Sequence, residues 1–270
     1  MFQKILIIYK PVDKCIDKLH YIINILKERK VDIKVLSVDD VVKIDETPDL
    51  VIGIGGDGTI LKISSAFQNK SPITLPIPCG RRMIFYERFD NGELANILNR
   101  VFNGDFRIES LRRINVEFSN KVYTVLNEAL LLSTDRGRVT GFEVRIESIS
   151  RTYNYGFDGD GVMVGGAPGS TAYNLTVGGS IVDPGVESIF ITPLNPMDRS
   201  LTQITVPLIS YVTLSSRGRT ELYLDGEKVA NVPPHQVVSI YPCHYKLRII
   251  RISGKNIIRD IYERRRFEIK

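Results

Sequence analysis

A run of glycines around one aspartate follows an apolar segment and has the composition of a phosphate-binding turn. The residues are Gly55, Gly56, Asp57, Gly58 and Thr59, directly after the apolar run 50–54. Glycines let a backbone approach a ligand closely, and exposed N–H groups at the start of a helix attract phosphate oxygens. An acid among them can accept a proton from an attacking hydroxyl, or orient that hydroxyl or a metal ion. We therefore predict that Asp57 is catalytic and that its four neighbours bind phosphate.

The alternative for this turn is purely structural, a tight strand-to-helix connection in which Asp57 is the helix N-cap. Three glycines around an acid are more than such a turn needs, so phosphate binding is favoured. The run is neither a Walker A loop nor a GxGxxG fingerprint. Further along, Arg81 and Arg82 follow Gly80. We predict that both bind the donor phosphates, because arginine pairs can bind phosphate through paired N–H donors; the alternative is an ordinary pair of surface arginines.

Two adjacent polar residues, Asn127 and Glu128, interrupt the strongly apolar run 125–132. Polar side chains inside a buried strand cost free energy unless they have partners. One interpretation is a bulge that brings both polar groups to the rim of a sheet. The other is a contact with the hydroxyls or the amide of a ligand. The residues alone leave these two interpretations open.

A second glycine-rich segment runs from Asp158 to Val182. Asp160 precedes a short strand, and a glycine loop then leads into a helix for which Ser170 is the predicted N-cap. The candidate ligand residues of this segment are Asp160, Ser170, Thr171, Ala172 and Tyr173. An ordinary connection would also explain the pattern. Near the end of the chain, Leu224-Asp225-Gly226 has the composition of a hairpin turn.

The first third of the chain alternates strand and helix patterns. Apolar β-branched runs occur at 5–9, 33–36, 50–54 and 72–77, and apolar residues recur at helical spacing from residue 13 to residue 26. This order predicts an α/β domain with an open parallel sheet over residues 1–104. From residue 105 short strands separated by turn signals dominate, which predicts a β-rich domain over 105–250. We expect the C-terminal segment 251–270 to pack back on the first domain.

Composition excludes several classes of protein. The 270 residues are 43% hydrophobic, with a net charge of +5, and no apolar run is long enough to span a bilayer. The start of the chain does not resemble a signal peptide. Three scattered cysteines predict neither a disulfide framework nor a zinc site and suit a reducing compartment. We therefore predict a cytoplasmic protein without a nucleic-acid or membrane partner.

The motifs, in this order, resemble those of the NAD kinase family. They are GGDGT at 55–59, NE at 127–128, the DG…GSTAY…GG block at 160–179 and LDG at 224–226. The resemblance covers roughly residues 4 to 250. GGDGT alone is shared with diacylglycerol kinase, sphingosine kinase and phosphofructokinase relatives, whereas NE with GSTAY is more specific. Gly80-Arg81-Arg82 is similar to a loop of archaeal members.

The resemblance implies a Rossmann-like α/β domain followed by a β-rich domain. It implies phosphoryl transfer from ATP or polyphosphate, with a divalent metal such as Mg²⁺, to the 2′-hydroxyl of the adenosine ribose of NAD. Asp57 would engage or deprotonate that hydroxyl, and the glycines and Thr59 would hold the donor phosphates. Asn127 and Glu128 would bind the adenosine part. The remaining implied NAD-binding residues are Asp160, Ser170, Thr171, Ala172, Tyr173 and Asp225. Members of the family are commonly homodimers or homotetramers.

Two departures from the family pattern fall on loops predicted to contact ligands. Pro168 stands where a Thr or Ser hydroxyl is expected and cannot donate a hydrogen bond. Met83 replaces a glycine, which would narrow a pocket or exclude a left-handed backbone. These changes leave open a relative that phosphorylates another nucleoside, sugar or lipid alcohol. A non-catalytic dinucleotide-binding protein is a further alternative, against which the intact GGDGT argues.

Overall fold

A computed structural model describes residues 2–80, 83–87, 89, 91–135 and 137–254. The chain divides into two compact units. The first combines the described parts of 1–110 and 246–270, and the second is Leu111–Tyr245. Among the described residues, no helix has both the length and the apolar character that a membrane crossing requires.

The first unit alternates strands and helices, as the hydrophobic periodicity predicts. Its core-facing positions on the first helix are Cys15, Leu19, Ile22 and Leu26, spaced by three and four residues. The elements are β1 (Lys4–Tyr9), α1 (Asp13–Lys27), β2 (Asp32–Ser37), a 3₁₀ turn (Val38–Asp40), β3 (Leu50–Gly55), α2 (Asp57–Ala66), β4 (Ile73–Pro78), a 3₁₀ turn (Asn91–Glu93), α3 (Leu94–Phe102) and β5 (Arg107–Leu111).

The sheet of the first unit is parallel where β1, β2, β3 and β4 pair. Every residue of β3 is buried, which explains its unbroken apolar sequence. This strand ends at Gly55, so the GGDGT turn lies at the carboxyl edge of the sheet, where parallel α/β sheets place their ligands. The predicted open parallel sheet is confirmed.

Two cysteines of the first unit are joined. Cys15 on α1 and Cys79, just after β4, form a disulfide with a Cα–Cα distance of 5.5 Å. The prediction that the scattered cysteines would stay unpaired is therefore wrong for these two. The reason is tertiary: both side chains belong to the apolar cluster between α1 and the sheet, although 64 residues separate them in sequence. Cys243 is free and buried.

The second unit is built from strands, with one short helical segment. Its elements are β6 (Ile114–Phe118), β7 (Lys121–Val125), β8 (Glu128–Ser133), β9 (Thr140–Ser148), β10 (Arg151–Gly159), β11 (Gly161–Gly166), a 3₁₀ helix (Ala167–Thr171), α4 (Tyr173–Thr176), β12 (Ser188–Leu194), β13 (Ile204–Pro207), β14 (Tyr211–Ser216), β15 (Thr220–Leu224), β16 (Glu227–Val232) and β17 (Val238–Pro242).

These strands form two six-stranded antiparallel sheets. The orders are β10-β9-β14-β17-β6-β7 and β13-β12-β11-β8-β15-β16. Strand β9 alternates buried and exposed residues, as expected for a strand with one solvated face. Inward-facing residues of both sheets form one apolar cluster that includes Val144, Ile146, Val164 and Ile191. The predicted β-rich second domain is confirmed as a two-layer sandwich.

The chain returns to the first unit at its last described strand, β18 (Leu247–Arg251). This strand pairs in parallel with β4 and lies between β4 and β5, so the full order is β2-β1-β3-β4-β18-β5. The units therefore change near residues 110 and 245, not at the predicted 104 and 250. The difference arises because β5 and β18 both belong to the first sheet. Residues 255–270 lie outside the described part of the chain.

Candidate active site

The GGDGT turn joins β3 to α2 without a side-chain cap. Gly56 is the N-cap residue, and Asp57 is the first residue of the helix. The alternative that made Asp57 an N-cap is therefore wrong. A Cβ at Gly55 would collide with the side chain of Thr59, which is itself buried, so this position requires glycine.

The carboxylate of Asp57 accepts hydrogen bonds from a neighbouring loop. The backbone N–H of Ile84 donates to both carboxylate oxygens at 2.8 Å, and that of Phe85 donates to Oδ1 at 3.0 Å. Asp57 is only half-buried. These donors hold its carboxylate in one orientation without enclosing it, which suits a group that must meet a hydroxyl.

The same loop also contacts the glycine backbone. The Tyr86 hydroxyl donates to the Gly56 carbonyl at 2.9 Å, and its side chain is 1% exposed. Burial, followed by the nearby charge of Asp57, raises the pKa of Tyr86 well above its ordinary value, so the phenol stays neutral and remains a donor. Met83 is buried beside Gly56 and is not among the residues with positive φ. The backbone at Met83 is therefore not left-handed, as expected for a methionine in place of glycine, and the narrowing of a pocket stays a prediction. Arg81 and Arg82 lie outside the described residues.

In the second unit, the predicted strand through Asn127 and Glu128 is broken. Strand β7 ends at Val125 and β8 begins at Glu128. The break is held by Asp225, whose carboxylate accepts the backbone N–H of Leu126 at 3.0 Å and of Asn127 at 2.7 Å. Asp225 itself sits at φ 49° in the turn between β15 and β16. From its position in the hairpin turn, Asp225 therefore shapes the connection between β7 and β8 at residues 126–128, which we call the Asn-Glu turn.

Asn127 and Glu128 keep polar atoms without a partner. Asn127 Oδ1 and Glu128 Oε2 are buried and have no hydrogen-bond partner among the described residues. Burial, followed by the charge of Asp225, raises the pKa of Glu128 to about 8. The turn thus presents an amide oxygen and a predominantly neutral carboxyl group at pH 7. Such groups are suited to hydrogen bonding with a polar ligand.

A buried cation lies within electrostatic reach of Asp225. Arg113 is fully buried and donates from Nε to the Tyr245 carbonyl at 2.9 Å. Burial lowers the pKa of Arg113 to about 10, against the opposing influence of Cys243 and Asp225. Burial raises the pKa of Asp225 to about 6, even though backbone N–H donors favour its charged form. At neutral pH Arg113 is therefore mainly a cation and Asp225 mainly an anion.

The second glycine loop packs directly on the Asn-Glu turn. A Cβ at Gly169 would collide with the Asn127 backbone, and a Cβ at Gly165 with the Asn127 carbonyl and the Phe190 ring. Glycine is therefore required where the two segments meet. Pro168 is buried in the first turn of the 3₁₀ helix, where its missing N–H costs little.

The segment 170–174 divides into a buried part and a more open part. Ser170 is fully buried, and its hydroxyl both donates to the Val182 carbonyl and accepts from the Val182 N–H. Its predicted N-cap role is wrong, because Ala172 precedes α4 and no side chain caps the helix. Thr171 and Ala172 are half-buried, and Tyr173 is exposed. These three residues remain available to a ligand.

Asn174, which sequence reasoning did not single out, organises this region. Its side chain is fully buried and bonds to Thr192 Oγ1 at 2.6 Å and to Gln203 Oε1 at 3.1 Å. The sequence does place Asn174 and Thr192 among apolar residues, which could have indicated a buried polar network. The members of this network are 11 to 29 positions apart in sequence, so local patterns do not pair them. A cavity of about 550 Å³ adjoins this network and includes Thr192, Asn195 and Gln203 in its lining. The exposed Asp160 accepts a hydrogen bond from Asn195 at 2.8 Å.

Both halves of the chain match models of known protein families. The family model described as the ATP-NAD kinase N-terminal domain matches residues 16–106, and that for the ATP-NAD kinase C-terminal domain matches 126–252. A Methanopyrus kandleri NAD kinase is 30% identical over 209 residues, covering 72% of this chain and 74% of that protein. The chain belongs to the NAD kinase family. A Carboxydothermus hydrogenoformans NAD kinase is 28% identical and covers 94% of both chains.

Solved structures share the fold. An Archaeoglobus fulgidus NAD kinase in complex with ATP aligns with a TM-score of 0.76 at 18% identity, covering 96% of this chain and 97% of that chain. Yeast NADH kinase complexed with NADH aligns with a TM-score of 0.83 at 20% identity, covering 100% of this chain and 89% of that chain. The two-domain arrangement of elements is therefore that of the NAD kinase fold.

Proposed function

We propose that this protein phosphorylates NAD to NADP. The 2′-oxygen of the adenosine ribose attacks the γ-phosphorus of ATP, the bond from that phosphorus to the β,γ-bridging oxygen breaks, and ADP leaves. The proton of the hydroxyl passes to Asp57. In such a reaction the protein contributes mainly positioning and charge stabilisation. The observation that supports this proposal most directly is the orientation of the Asp57 carboxylate. Asp57 is the first residue of α2, and the backbone amides of Ile84 and Phe85 hold its carboxylate.

Each unit contains residues to which we assign a role in substrate binding, and the two sets are taken separately. In the first unit Gly55, Gly56, Gly58 and Thr59 would hold the donor phosphates, together with the helix N-terminus. In the second unit Asn127 and Glu128 would bind the adenosine part of NAD, and the unpaired oxygen on each supports this assignment. The other residues proposed to bind NAD are Asp160, Thr171, Ala172 and Tyr173. Asp225 would act on NAD by holding the Asn-Glu turn, to whose backbone it is bonded.

The identity of the acceptor rests on the family. The relatives from Methanopyrus kandleri and Carboxydothermus hydrogenoformans are NAD kinases, which favours NAD over another alcohol. The Archaeoglobus fulgidus enzyme binds ATP, which supports ATP as the donor, with polyphosphate as the alternative. The described residues contain no group of three or more His, Cys, Asp and Glu that could hold a metal ion. We propose that Mg²⁺ enters on the donor phosphates, its usual carrier in kinases.

Location and assembly are further parts of the proposal. We propose a cytoplasmic homodimer or homotetramer whose partners are nucleotides, without nucleic-acid or membrane binding. The Cys15–Cys79 disulfide is compatible with a cytoplasm, because intracellular proteins of hyperthermophiles can be rich in disulfides.

The deciding experiment is a coupled assay for NADP formed from NAD, ATP and Mg²⁺, with polyphosphate as a second donor. Asp57→Asn removes the proton acceptor but keeps the shape, and should lower kcat by about 10²–10⁴-fold. Circular dichroism and an unfolding midpoint serve as the folding control. Absence of NADP from a folded wild-type protein would refute the NAD assignment. Full activity in Asp57→Asn would refute the role of the carboxylate.

A further inference from the structure

The loop that binds Asp57 is tied on its other side to the last described strand. The Phe85 carbonyl accepts a hydrogen bond from Arg251 Nη1 at 2.6 Å. The Glu87 carboxylate accepts the backbone N–H of Ile252 at 2.8 Å and of Ser253 at 3.2 Å. We call this set of contacts, centred on Arg251 and Glu87, the C-terminal latch. It joins residues more than 160 positions apart in sequence.

The latch is made of buried charges. Arg251 is 8% exposed and Glu87 is 6% exposed. Arg251 also donates from Nε to Glu109 on β5 at 2.7 Å, which compensates its charge. A buried charge costs free energy unless it has partners. Removing one member of such a set leaves the remaining charges buried without compensation. Because its members are buried and paired, the latch favours a single arrangement of the loop.

The loop has no regular secondary structure to fix its backbone. Residues 83–87 belong to neither a helix nor a strand, so no regular hydrogen-bond ladder fixes their amides. Besides the packing of its buried side chains, the segment is held by the Tyr86 bond to Gly56, the amide bonds to Asp57 and the latch. Catalysis is sensitive to such placement, because a displacement of about 1 Å can cost about 10²-fold in rate.

We propose that Arg251 and Glu87 are positioning residues for phosphoryl transfer: they fix the loop so that the Ile84 and Phe85 amides orient the Asp57 carboxylate. The proposal rests on the proposed function, in which Asp57 takes the proton of the acceptor hydroxyl. Neither residue is a catalytic residue, since each acts through the loop backbone. Strand β18 would thereby set the geometry of a group that lies at least 190 positions earlier in the chain.

The test variants remove the latch with little change in shape. Arg251→Lys keeps the positive charge but loses the fork that reaches Glu109 and Phe85 together. Glu87→Gln keeps one acceptor and places an N–H₂ group against a backbone donor. Arg248→Lys is the matched control: it lies on the same strand, and its Nε donates to the Ser71 carbonyl at 2.8 Å rather than to the loop.

Two readouts are required, one with substrates and one without. We expect both latch variants to lower kcat by about 10- to 100-fold while KM for NAD and for ATP changes less than about threefold. Without substrate, hydrogen exchange at the amides of Ile84 and Phe85 should become at least about tenfold faster. Arg248→Lys should leave kcat and the exchange rates of the Ile84 and Phe85 amides within about twofold of wild type, even if it lowers the unfolding midpoint.

Several outcomes would overturn the proposal. An equal loss of kcat in Arg248→Lys would show a general effect of stability. Faster exchange with unchanged kcat would show that the loop does not position the reacting groups. Unchanged exchange in the latch variants would show that Arg251 and Glu87 do not hold the loop. If the folded wild-type protein forms no NADP, the proposed function is refuted rather than the role of the latch. The hydrogen-exchange rates of the variants then still decide whether the latch holds the loop.

Discussion

The two units treat the polar atoms of their candidate functional residues in opposite ways. In the first unit both carboxylate oxygens of Asp57 accept N–H groups from the chain itself. In the second unit Asn127 Oδ1 and Glu128 Oε2 are buried and have no partner among the described residues. The first unit supplies hydrogen-bond donors to both oxygens of its proposed reactive group, whereas the second unit leaves one oxygen on each of its two candidate residues without a described partner.

This difference matches the two tasks of a kinase that selects its acceptor. A group that takes a proton must be aimed accurately, so internal hydrogen bonds help it. A group that recognises a ligand is more selective if it is unpaired until the ligand arrives, because a wrong ligand leaves a buried polar atom unsatisfied. We infer that the first unit is organised for the reaction and the second for recognition.

The largest expected test of this contrast is Asp225→Asn. Asparagine tolerates the positive φ of this turn, but its amide can satisfy only one of the two backbone N–H groups that the carboxylate accepts. The Asn-Glu turn should loosen, raising KM for NAD at least about tenfold and costing about 1–3 kcal/mol of stability. Steady-state kinetics should show kcat nearly unchanged, the reverse of Asp57→Asn. A collapse of kcat at constant KM would break the comparison.

The next test places the same substitution in both glycine motifs. Gly169→Ala puts a methyl group into the Asn127 backbone and should destabilise the protein by about 1–3 kcal/mol in urea unfolding. Gly58→Ala meets nothing within 4 Å and needs no positive φ, so its unfolding free energy should stay within about 1 kcal/mol of wild type. Equal destabilisation by both substitutions would contradict the packing described for the Asn-Glu turn.

The last expected effect is a pH dependence of stability from Glu128. Its pKa is raised from 4.5 to about 8, so the folded protein holds a proton that the unfolded chain releases. The stability that this proton contributes is full below pH 4.5 and is lost as pH rises toward 8. Glu128→Gln keeps a neutral side chain, so it should gain about 1–3 kcal/mol over wild type between pH 5 and pH 8.

Urea unfolding at several pH values measures this difference directly. Glu117→Gln, on the exposed face of β6, is the control and should show no such trend. A constant difference between Glu128→Gln and wild type across the range would mean that Glu128 is ionised throughout. The second unit would then present a buried charge rather than a neutral donor.

Local patterns predicted much of this organisation. The alternation of β-branched runs with segments of helical spacing was sufficient to predict the parallel sheet. The turn-forming residues were sufficient to place Gly55–Thr59 and Asp225 in turns. The motifs also led to the family. Each of these signals lies within a short stretch of chain, where residue type and spacing act directly on the backbone.

The remaining features depend on contacts between distant residues. Nothing near Phe85 shows that its carbonyl meets Arg251, and nothing near Asn127 shows that Asp225 ends the strand there. Ser170 had the local appearance of an N-cap, yet tertiary packing turned its hydroxyl toward Val182. The Cys15–Cys79 disulfide was missed for the same reason. Such pairings follow from topology, which composition and periodicity do not specify.

The place of β18 has a consequence for the order of folding during synthesis. This strand separates β4 from β5, yet it leaves the ribosome only after the whole of the second unit. The second unit is continuous from Leu111 to Tyr245, so we expect it to fold first, although it is translated later than most of the first. The nascent first unit already has its GGDGT turn while Arg251 is missing. Asp57 would therefore gain the alignment of its amide donors only after β18 has been synthesised.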